Sequence, residues 1–212
     1  MKKLVPVVDT VAADLLTPLG VFLKLSKSGT HSFLLESVEG GESLARYSFI
    51  GTSPELVLRG GNESIEINGE KLSTPMLGFL RDHFGSFEID GDADLPPFVG
   101  GAIGYFGFNC ASWFEPSLKS MPDEHADAEF MFFNSVIAFD HAKQVIKIIT
   151  LAAEDEKENA LARNAEIRHV LENDPIIVPS KDQRPKTEAR VQSNWSREDF
   201  ENGVREIKEM IL

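Results

Sequence analysis

Short apolar runs and strict alternation of apolar and polar residues recur along the chain, and both patterns are typical of β-strands. Residues 33–35 form an apolar run, and residues 45–51 return with alternating side chains after a pair of glycines. Because successive side chains of a strand point to opposite faces, Arg46, Ser48 and Ile50 are predicted to share one face of the returning strand. The two runs are therefore predicted to be adjacent strands, joined by a connection longer than a tight hairpin.

The next region carries a second set of strand patterns. Residues 56–58 are apolar, and residues 64–68 alternate as in a half-exposed strand. The dipeptide Asn68-Gly69 is typical of a tight hairpin turn, so residues 70–72 are predicted to return antiparallel.

A long apolar hairpin is predicted near the middle of the chain. Residues 130–139 are predicted to form one long strand, residues 140–143 a turn, and residues 145–149 the return strand. The nearly continuous apolar character predicts a central position, buried on both faces. Together these patterns predict an α+β fold, with mainly antiparallel β-sheets flanked by helices.

Four stretches show the apolar spacing of helices. Thr17-Pro18 and Thr74-Pro75 each combine a capping hydroxyl with a proline at the first helical position. Residues 154–171 begin with acids, which the helix dipole favours, and Ser196 starts the last helix with Asp199 three residues on. The apolar positions that predict the packed faces are Leu19, Phe22, Leu23 and Leu25, then Met76, Leu77, Leu80 and Phe84, then Leu161, Ala165 and residues 167–171, and finally Phe200, Val204, Ile207 and Ile211.

Two intervening segments lack this periodicity. Residues 85–94 are polar and acidic and are predicted to form a loop. Residues 96–108 carry four glycines, but a phosphate-binding loop would also need a lysine and a hydroxyl at a helix start, and neither is present. The glycines therefore predict close backbone packing or a kinked buried strand.

The patterns divide the chain into three parts. Residues 1–175 are predicted to form one domain. Residues 176–195 contain prolines and basic residues without periodicity, which predicts a linker. Residues 196–212 form the last helix, whose apolar stripe continues to the final residue without a capping signal.

Composition narrows the function classes. The 212 residues include 34 acidic and 21 basic ones, and the net charge of −13 argues against a nucleic-acid surface and against docking on an anionic membrane. The N-terminus has no apolar core of signal-peptide length, and no apolar run of the sequence approaches the length of a membrane span. Cys110 is the only cysteine, so an internal disulfide is impossible, which fits a cytoplasmic location. Cys110 itself is predicted to be a small buried residue.

The usual catalytic patterns are missing from the sequence. The five histidines are dispersed, and none has metal-ligand spacing to another histidine or to the cysteine. No serine lies in a nucleophile elbow, and paired acids occur in polar stretches typical of solvated loops. No catalytic residue and no metal ligand is therefore assigned.

Glu36 and Ser37 carry the most suggestive chemistry. They follow an apolar run, where a carboxylate needs a cation or hydrogen-bond donors. Arg46 could supply that cation, in which case the pair is structural. A ligand ammonium could also supply it, because an amino-acid pocket needs an anion, hydrogen-bond donors and an apolar wall.

Four segments resemble one enzyme family, in the order that the family shows, over nearly the whole chain. They read FLLES with ARYSFIG, PPFVGGAIGYFGF, FMFFNSVIAFDHAKQVIKII and SNWSREDFENGVREIKEMI. The chain thereby resembles the N-terminal part of the large subunit (component I) of anthranilate synthase, a chorismate-utilising enzyme. The resemblance implies the family's two-sheet sandwich. One departure is Phe108-Asn109, where family members often carry Tyr-Asp, which puts any polar role at these positions in doubt.

The resemblance implies a lyase of tryptophan biosynthesis, which converts chorismate and ammonia to anthranilate and pyruvate. A glutamine amidotransferase subunit would be the partner that delivers the ammonia. L-Tryptophan would be the feedback inhibitor. Its site would be carried by the matching residues Leu35, Glu36, Ser37, Arg46, Tyr47 and Ser48.

The same resemblance implies that the chain is a fragment. Residues 196–212 would be the first helix of a truncated chorismate-binding catalytic region. The magnesium ligands and catalytic residues would lie beyond the chain, so the fragment is expected to have no cofactor and no activity. Two alternatives stay open: component I of aminodeoxychorismate synthase, from the folate pathway, and a non-catalytic amino-acid-binding module.

Overall fold

A computed structural model describes residues 1–26, 31–36, 46–91, 94–115, 117–118, 126–176 and 193–211. The chain divides into two compact units, Met1–Ile177 and Val178–Leu212. The strands are β1 Lys2–Ala12, β2 Ser32–Leu35, β3 Tyr47–Thr52, β4 Leu56–Gly60, β5 Ile65–Ile67, β6 Glu70–Leu72, β7 Phe87–Ile89, β8 Gly101–Phe106, β9 Ala128–Phe133, β10 Ser135–Asp140 and β11 Val145–Ala152. The α-helices are α1 Pro18–Leu25, α2 Met76–Gly85, α3 Lys157–Asn173 and α4 Arg197–Ile211, and two short 3₁₀ helices span Phe108–Trp113 and Glu154–Glu156.

The strands of the first unit form two sheets. The six-stranded sheet has the order β2-β3-β10-β11-β1-β7, and the five-stranded sheet has the order β6-β5-β4-β9-β8. Among these pairings only β1 with β7 is parallel. The α+β class with mainly antiparallel sheets is therefore confirmed.

Three hydrophobic clusters hold these layers together. In the first, α1 and α3 pack on one face of the six-stranded sheet around Val21, Ile148 and Leu171. In the second, α2 packs on the five-stranded sheet around Leu58 and Met76. The third joins the inner faces of the two sheets and contains Phe33, Phe133, Val136 and the partly buried Phe49, Phe98, Ile103 and Met131.

Two predicted hairpin features are confirmed. Strands β2 and β3 pair antiparallel, with Leu35 opposite Phe49. Asn68 and Gly69 both have positive φ, 48° and 95°, as the tight turn between β5 and β6 requires.

The predicted single strand at residues 130–139 is wrong. Strand β9 ends at Phe133 and belongs to the five-stranded sheet, whereas β10 begins at Ser135 and belongs to the six-stranded sheet. Asn134 lies at the crossing, where its carbonyl accepts a 2.8 Å hydrogen bond from the backbone N–H of Leu151. Both strands are largely apolar, so hydropathy did not mark the point where the chain changes sheets. The central position of β10 and β11 is confirmed by the sheet order.

The helix starts are better predicted than the helix faces. Thr17 caps α1, since its hydroxyl accepts a hydrogen bond from Gly20 N at 3.0 Å. The predicted stripe is wrong at Leu19, which is 55% exposed, while Val21 is fully buried. Helix α2 begins at Met76, one position later than the prediction. Pro75 is its cap residue and no side chain caps it, so the capping role predicted for Thr74 is wrong.

The face of α3 was also partly mispredicted. Leu161 and Ala165 are exposed, and Ile167 and Leu171 are buried as expected. The two remaining buried positions are Ala160 and Asn164, and Asn164 is a polar residue that apolar spacing could not identify.

The loop predicted at residues 85–94 contains strand β7, which adds to the edge of the six-stranded sheet beside β1. No pattern predicted β1 either. The glycine-rich segment forms β8, and a Cβ on Gly104 would lie 2.0 Å from the carbonyl oxygen of Glu129, which confirms close backbone packing. β8 is not buried throughout, because Tyr105 and Phe106 are about half exposed.

The second unit contains α4. Ser196 Oγ accepts a hydrogen bond from Asp199 N at 3.1 Å and donates to Asp199 Oδ2 at 2.6 Å, so the predicted cap is confirmed. The apolar stripe of α4 includes Phe200, Val204 and Ile207, which are exposed. The roles predicted for the three segments of the chain stay predictions.

Candidate functional site

The predicted effector residues lie at one edge of the six-stranded sheet. Leu35 ends the edge strand β2 and is 46% exposed, and Glu36 follows it as an exposed residue. Tyr47 and Ser48 open the neighbouring strand β3, and Arg46 immediately precedes it. Ser37 lies outside the described residues.

Arg46 forms a two-point ion pair with Asp140, the last residue of β10. Arg46 Nε donates to Asp140 Oδ1 at 3.0 Å, and Nη2 donates to Oδ2 at 2.7 Å. Asp140 Oδ1 also accepts hydrogen bonds from the backbone N–H groups of Ala142 and Lys143, both at 3.1 Å. The hydrogen bonds from Arg46 hold the pKa of the Asp140 carboxyl below its usual value, despite its burial.

The Arg46–Asp140 pair argues against the structural alternative in which Arg46 pairs with Glu36. Two nitrogens of the Arg46 guanidinium are committed to Asp140, which is only 1% exposed. Within the described part of the chain, the carboxylate of Glu36 has no hydrogen bond or ion pair with Arg46. Glu36 is thus an exposed carboxylate whose expected internal partner is occupied elsewhere.

Arg46 and Tyr47 are brought together on the inner side of the sheet. The guanidinium carbon lies 4.8 Å from the centre of the Tyr47 ring, and that ring stacks on Phe49 at 5.9 Å. Arg46 lies outside β3, so strand alternation does not hold it to the face of Ser48 as was predicted. Burial and the charge of Asp140 raise the pKa of the Tyr47 hydroxyl.

Ser48 lies on the opposite face from Tyr47. It is completely buried, and its Oγ lies 2.8 Å from Nε2 of His141. Its neighbour on that face, Ile50, belongs to the cluster under α1 and α3. Ser48 can therefore act on a ligand at the Leu35–Tyr47 side only through the position of the strand.

Sequence reasoning missed Asp140 and His141 as parts of this site. Both were assigned only to a turn, and Asp140 lies 94 positions from Arg46. No motif links them, because the contact depends on β10 pairing with β3, where Asp140 is opposite Tyr47.

The arrangement offers three chemical elements for a small ligand: the exposed carboxylate of Glu36, the apolar surface of Leu35 and the aromatic ring of Tyr47. A carboxylate at an apolar edge suits an ammonium group, and the ring and Leu35 suit an apolar body. The Arg46–Asp140 pair fixes the start of β3 beside them.

Other chemistry is limited in the described residues. They contain no group of three or more His, Cys, Asp or Glu that could hold a metal ion. Cys110 is 5% exposed and burial raises the pKa of its thiol, which confirms the predicted buried residue. No helix in the described part is long and apolar enough to span a membrane.

Comparison with known proteins gives consistent matches. The family model described as chorismate binding enzyme matches residues 30–212. Anthranilate synthase component 1 of Pseudomonas aeruginosa is 33% identical, over 98% of this chain and 45% of that protein. The proteins of the same name from Acetivibrio thermocellus and Thermus thermophilus are 33% and 32% identical, over 99% and 100% of this chain and 45% of each relative.

A solved structure, anthranilate synthase component I from Streptococcus pneumoniae, has a TM-score of 0.57 and 24% sequence identity. The match covers 95% of this chain and 45% of that chain, and it supports the fold. The chain thus spans less than half the length of these relatives. With the family model matched over most of its residues, the chain belongs to the chorismate-binding enzyme family.

Proposed function

We propose that this chain is the scaffold and regulatory part of an anthranilate synthase component I. The whole enzyme would convert chorismate and ammonia to anthranilate and pyruvate for tryptophan biosynthesis in the cytoplasm. A glutamine amidotransferase subunit would supply the ammonia. The chorismate site and its magnesium ion would belong to a catalytic region beyond this chain, and the chain alone would be inactive.

The main support for this proposal is the similarity to proteins named anthranilate synthase component 1. It extends along nearly the entire chain, at 31–33% identity in several organisms. The match to the chorismate-binding family model over residues 30–212 agrees with this similarity.

The regulatory role is proposed for Leu35, Glu36, Ser37, Arg46, Tyr47 and Ser48, of which all but Ser37 are described at the sheet edge. Glu36 would accept the ammonium of tryptophan, and Ser37 would orient it. Leu35 and Tyr47 would contact the apolar body. The exposed Glu36 carboxylate and the commitment of Arg46 to Asp140 support this assignment, since an internal cation does not occupy Glu36 in the described chain.

Regulation then requires that tryptophan binds one state of the enzyme better than the other. A coupling free energy of about 1–3 kcal/mol between the two sites is enough for feedback inhibition. Arg46, Asp140 and Ser48 would act as positioning residues, because they hold the start of β3 rather than offering free groups to the ligand.

The test uses the full-length enzyme with the substitution Glu36→Gln. This change removes the charge and keeps the shape, so inhibition by tryptophan should weaken by about tenfold while the uninhibited rate stays unchanged. Glu172→Gln, which removes an exposed carboxylate from α3, is the matched control. Tryptophan should inhibit this variant as strongly as it inhibits the unmodified enzyme. Unchanged inhibition of Glu36→Gln would exclude Glu36 from the effector site.

The reaction itself is tested separately by identifying the product. Anthranilate formation from chorismate supports the proposal, whereas aminodeoxychorismate would assign the enzyme to folate synthesis. If the full-length protein binds tryptophan but forms neither product, the non-catalytic amino-acid-binding module is the interpretation that remains.

A further inference from the structure

A cavity lies away from the effector edge. Residues of β1, β4, β7, β9 and α2 line a space of about 450 Å³, which is within the range of small-molecule sites. None of the described residues that line it belongs to the segment around Leu35 and Arg46. Its inner walls are apolar and include Leu4, Leu56 and Leu151.

His83 on α2 is one of the polar residues that line this cavity. Its imidazole lies 4.7 Å from the ring of Phe132, 5.3 Å from Phe84 and 5.6 Å from Phe87, measured between ring centres, and it stacks on Phe79 at 5.8 Å. Burial lowers the pKa of this imidazole, which therefore stays neutral near pH 7 and keeps one nitrogen as an acceptor. Neither ring nitrogen has a hydrogen-bond partner among the residues that the structure describes, and the ring borders the cavity.

The charges at the rim favour a cation. Lys2 Nζ lies 3.1 Å from Glu156 Oε2, so this positive charge is already paired. Glu55 also lines the cavity, and its carboxylate has no ion-pair partner within the described chain. The rim thus carries one uncompensated negative charge, in a protein whose net charge is −13.

We propose that this cavity binds a small primary ammonium attached to one hydrophobic ring. The ammonium would lie near Glu55 and the acceptor nitrogen of His83, and the ring would pack against Phe84, Phe87 and Phe132. Aromatic rings contribute to such a site twice, because their faces attract a cation and their area is removed from water with the ligand. A ligand carboxylate is disfavoured because Lys2, the one cation among the described residues that line the cavity, is already paired with Glu156.

The experiment is a nuclear magnetic resonance titration of the isotope-labelled 212-residue chain with three probes that share one ring: benzylamine, benzyl alcohol and phenylacetate. Benzylamine should shift the signals of cavity residues at millimolar concentration. It should bind about tenfold more tightly than phenylacetate, because the rim repels an anion.

Two substitutions locate the binding groups. Glu55→Gln should weaken benzylamine binding about two- to fivefold, as expected for a partly exposed ion pair. His83→Phe should weaken it about three- to tenfold while the fold is kept, because a phenyl ring fits among the surrounding phenylalanines. Glu70→Gln on β6, outside the cavity, is the matched control and should bind like the unmodified chain.

Selective benzylamine binding that both cavity substitutions weaken would support the proposal. Three results would each overturn it: no shifts at the cavity with benzylamine, equal affinity for benzylamine and phenylacetate, or the same affinity in Glu55→Gln and Glu70→Gln. Binding of tryptophan at the effector edge is a separate measurement, so failure of one proposal leaves the other intact.

Discussion

The Arg46–Asp140 pair should stabilise the fold far more than a surface ion pair of the same chemistry. Its two hydrogen bonds measure 3.0 and 2.7 Å, and Asp140 is 1% exposed while the Arg46 side chain is 33% exposed. The chain also contains a natural comparison, the Arg59–Glu129 pair across β4 and β9, which has a 3.0 Å contact but side-chain exposures of 46% and 25%.

The magnitudes follow from the surroundings. Two charges about 4 Å apart attract by about 4 kcal/mol at an effective dielectric constant of about 20, and desolvation of Asp140 removes part of this. We expect a coupling free energy of about 2–3 kcal/mol for Arg46–Asp140, and about 0.2–1 kcal/mol for Arg59–Glu129. Arg46→Gln should cost more than Asp140→Asn, because it leaves a buried carboxylate unpaired, whereas a freed arginine can reach water.

The assay is a double-mutant cycle measured by urea unfolding at pH 7, followed by the circular dichroism of the sheets. Arg46→Gln, Asp140→Asn and their combination form one cycle, and Arg59→Gln, Glu129→Gln and their combination form the control. Equal coupling in both cycles, or a smaller loss for Arg46→Gln than for Asp140→Asn, would contradict the reasoning.

Three further outcomes follow from the structure. Asn164→Ala should lower the free energy of unfolding by about 2–3 kcal/mol, because it removes 2.7 and 2.9 Å hydrogen bonds between α3 and the sheet, whereas exposed Asn159→Ala should cost nothing in the same urea assay. Gly104→Ala should be strongly destabilising by thermal melting, because its Cβ would lie 2.0 Å from a carbonyl oxygen of β9, while Gly78→Ala in open helical surroundings should stabilise by about 0.5–1 kcal/mol. The folded-state pKa of Asp140 is lowered, so its contribution is complete above the ordinary carboxyl pKa of about 3.9 and is lost as the pH falls below it. Urea unfolding between pH 7 and pH 3 should therefore show a smaller loss of stability in Asp140→Asn than in the unmodified chain, and equal losses would refute this assignment.

Local chemistry in the sequence determined the turn between β5 and β6 and the starts of α1 and α4. Each of these features involves residues that are close in sequence. They are the positive φ angles of Asn68 and Gly69, the hydrogen bond to the hydroxyl of Thr17 and the two hydrogen bonds between Ser196 and Asp199. Their free energies depend on a few adjacent dihedral angles, so they can be recognised without knowledge of the rest of the fold. The position of Glu36 at the end of an apolar strand was recognisable in the same way, but its exposure was not, because the apolar run predicted burial.

Tertiary structure alone decided which distant segments meet. The crossing at Asn134 between two sheets, the parallel pairing of β1 with β7 and the contact of Arg46 with Asp140 have no local signature. Each depends on which faces are buried together, and that choice is made by the sum of many small packing contributions over the whole domain. The buried position of Asn164 on α3 could not be predicted for the same reason. Hydropathy does not show that groups of the sheet form hydrogen bonds with its side chain.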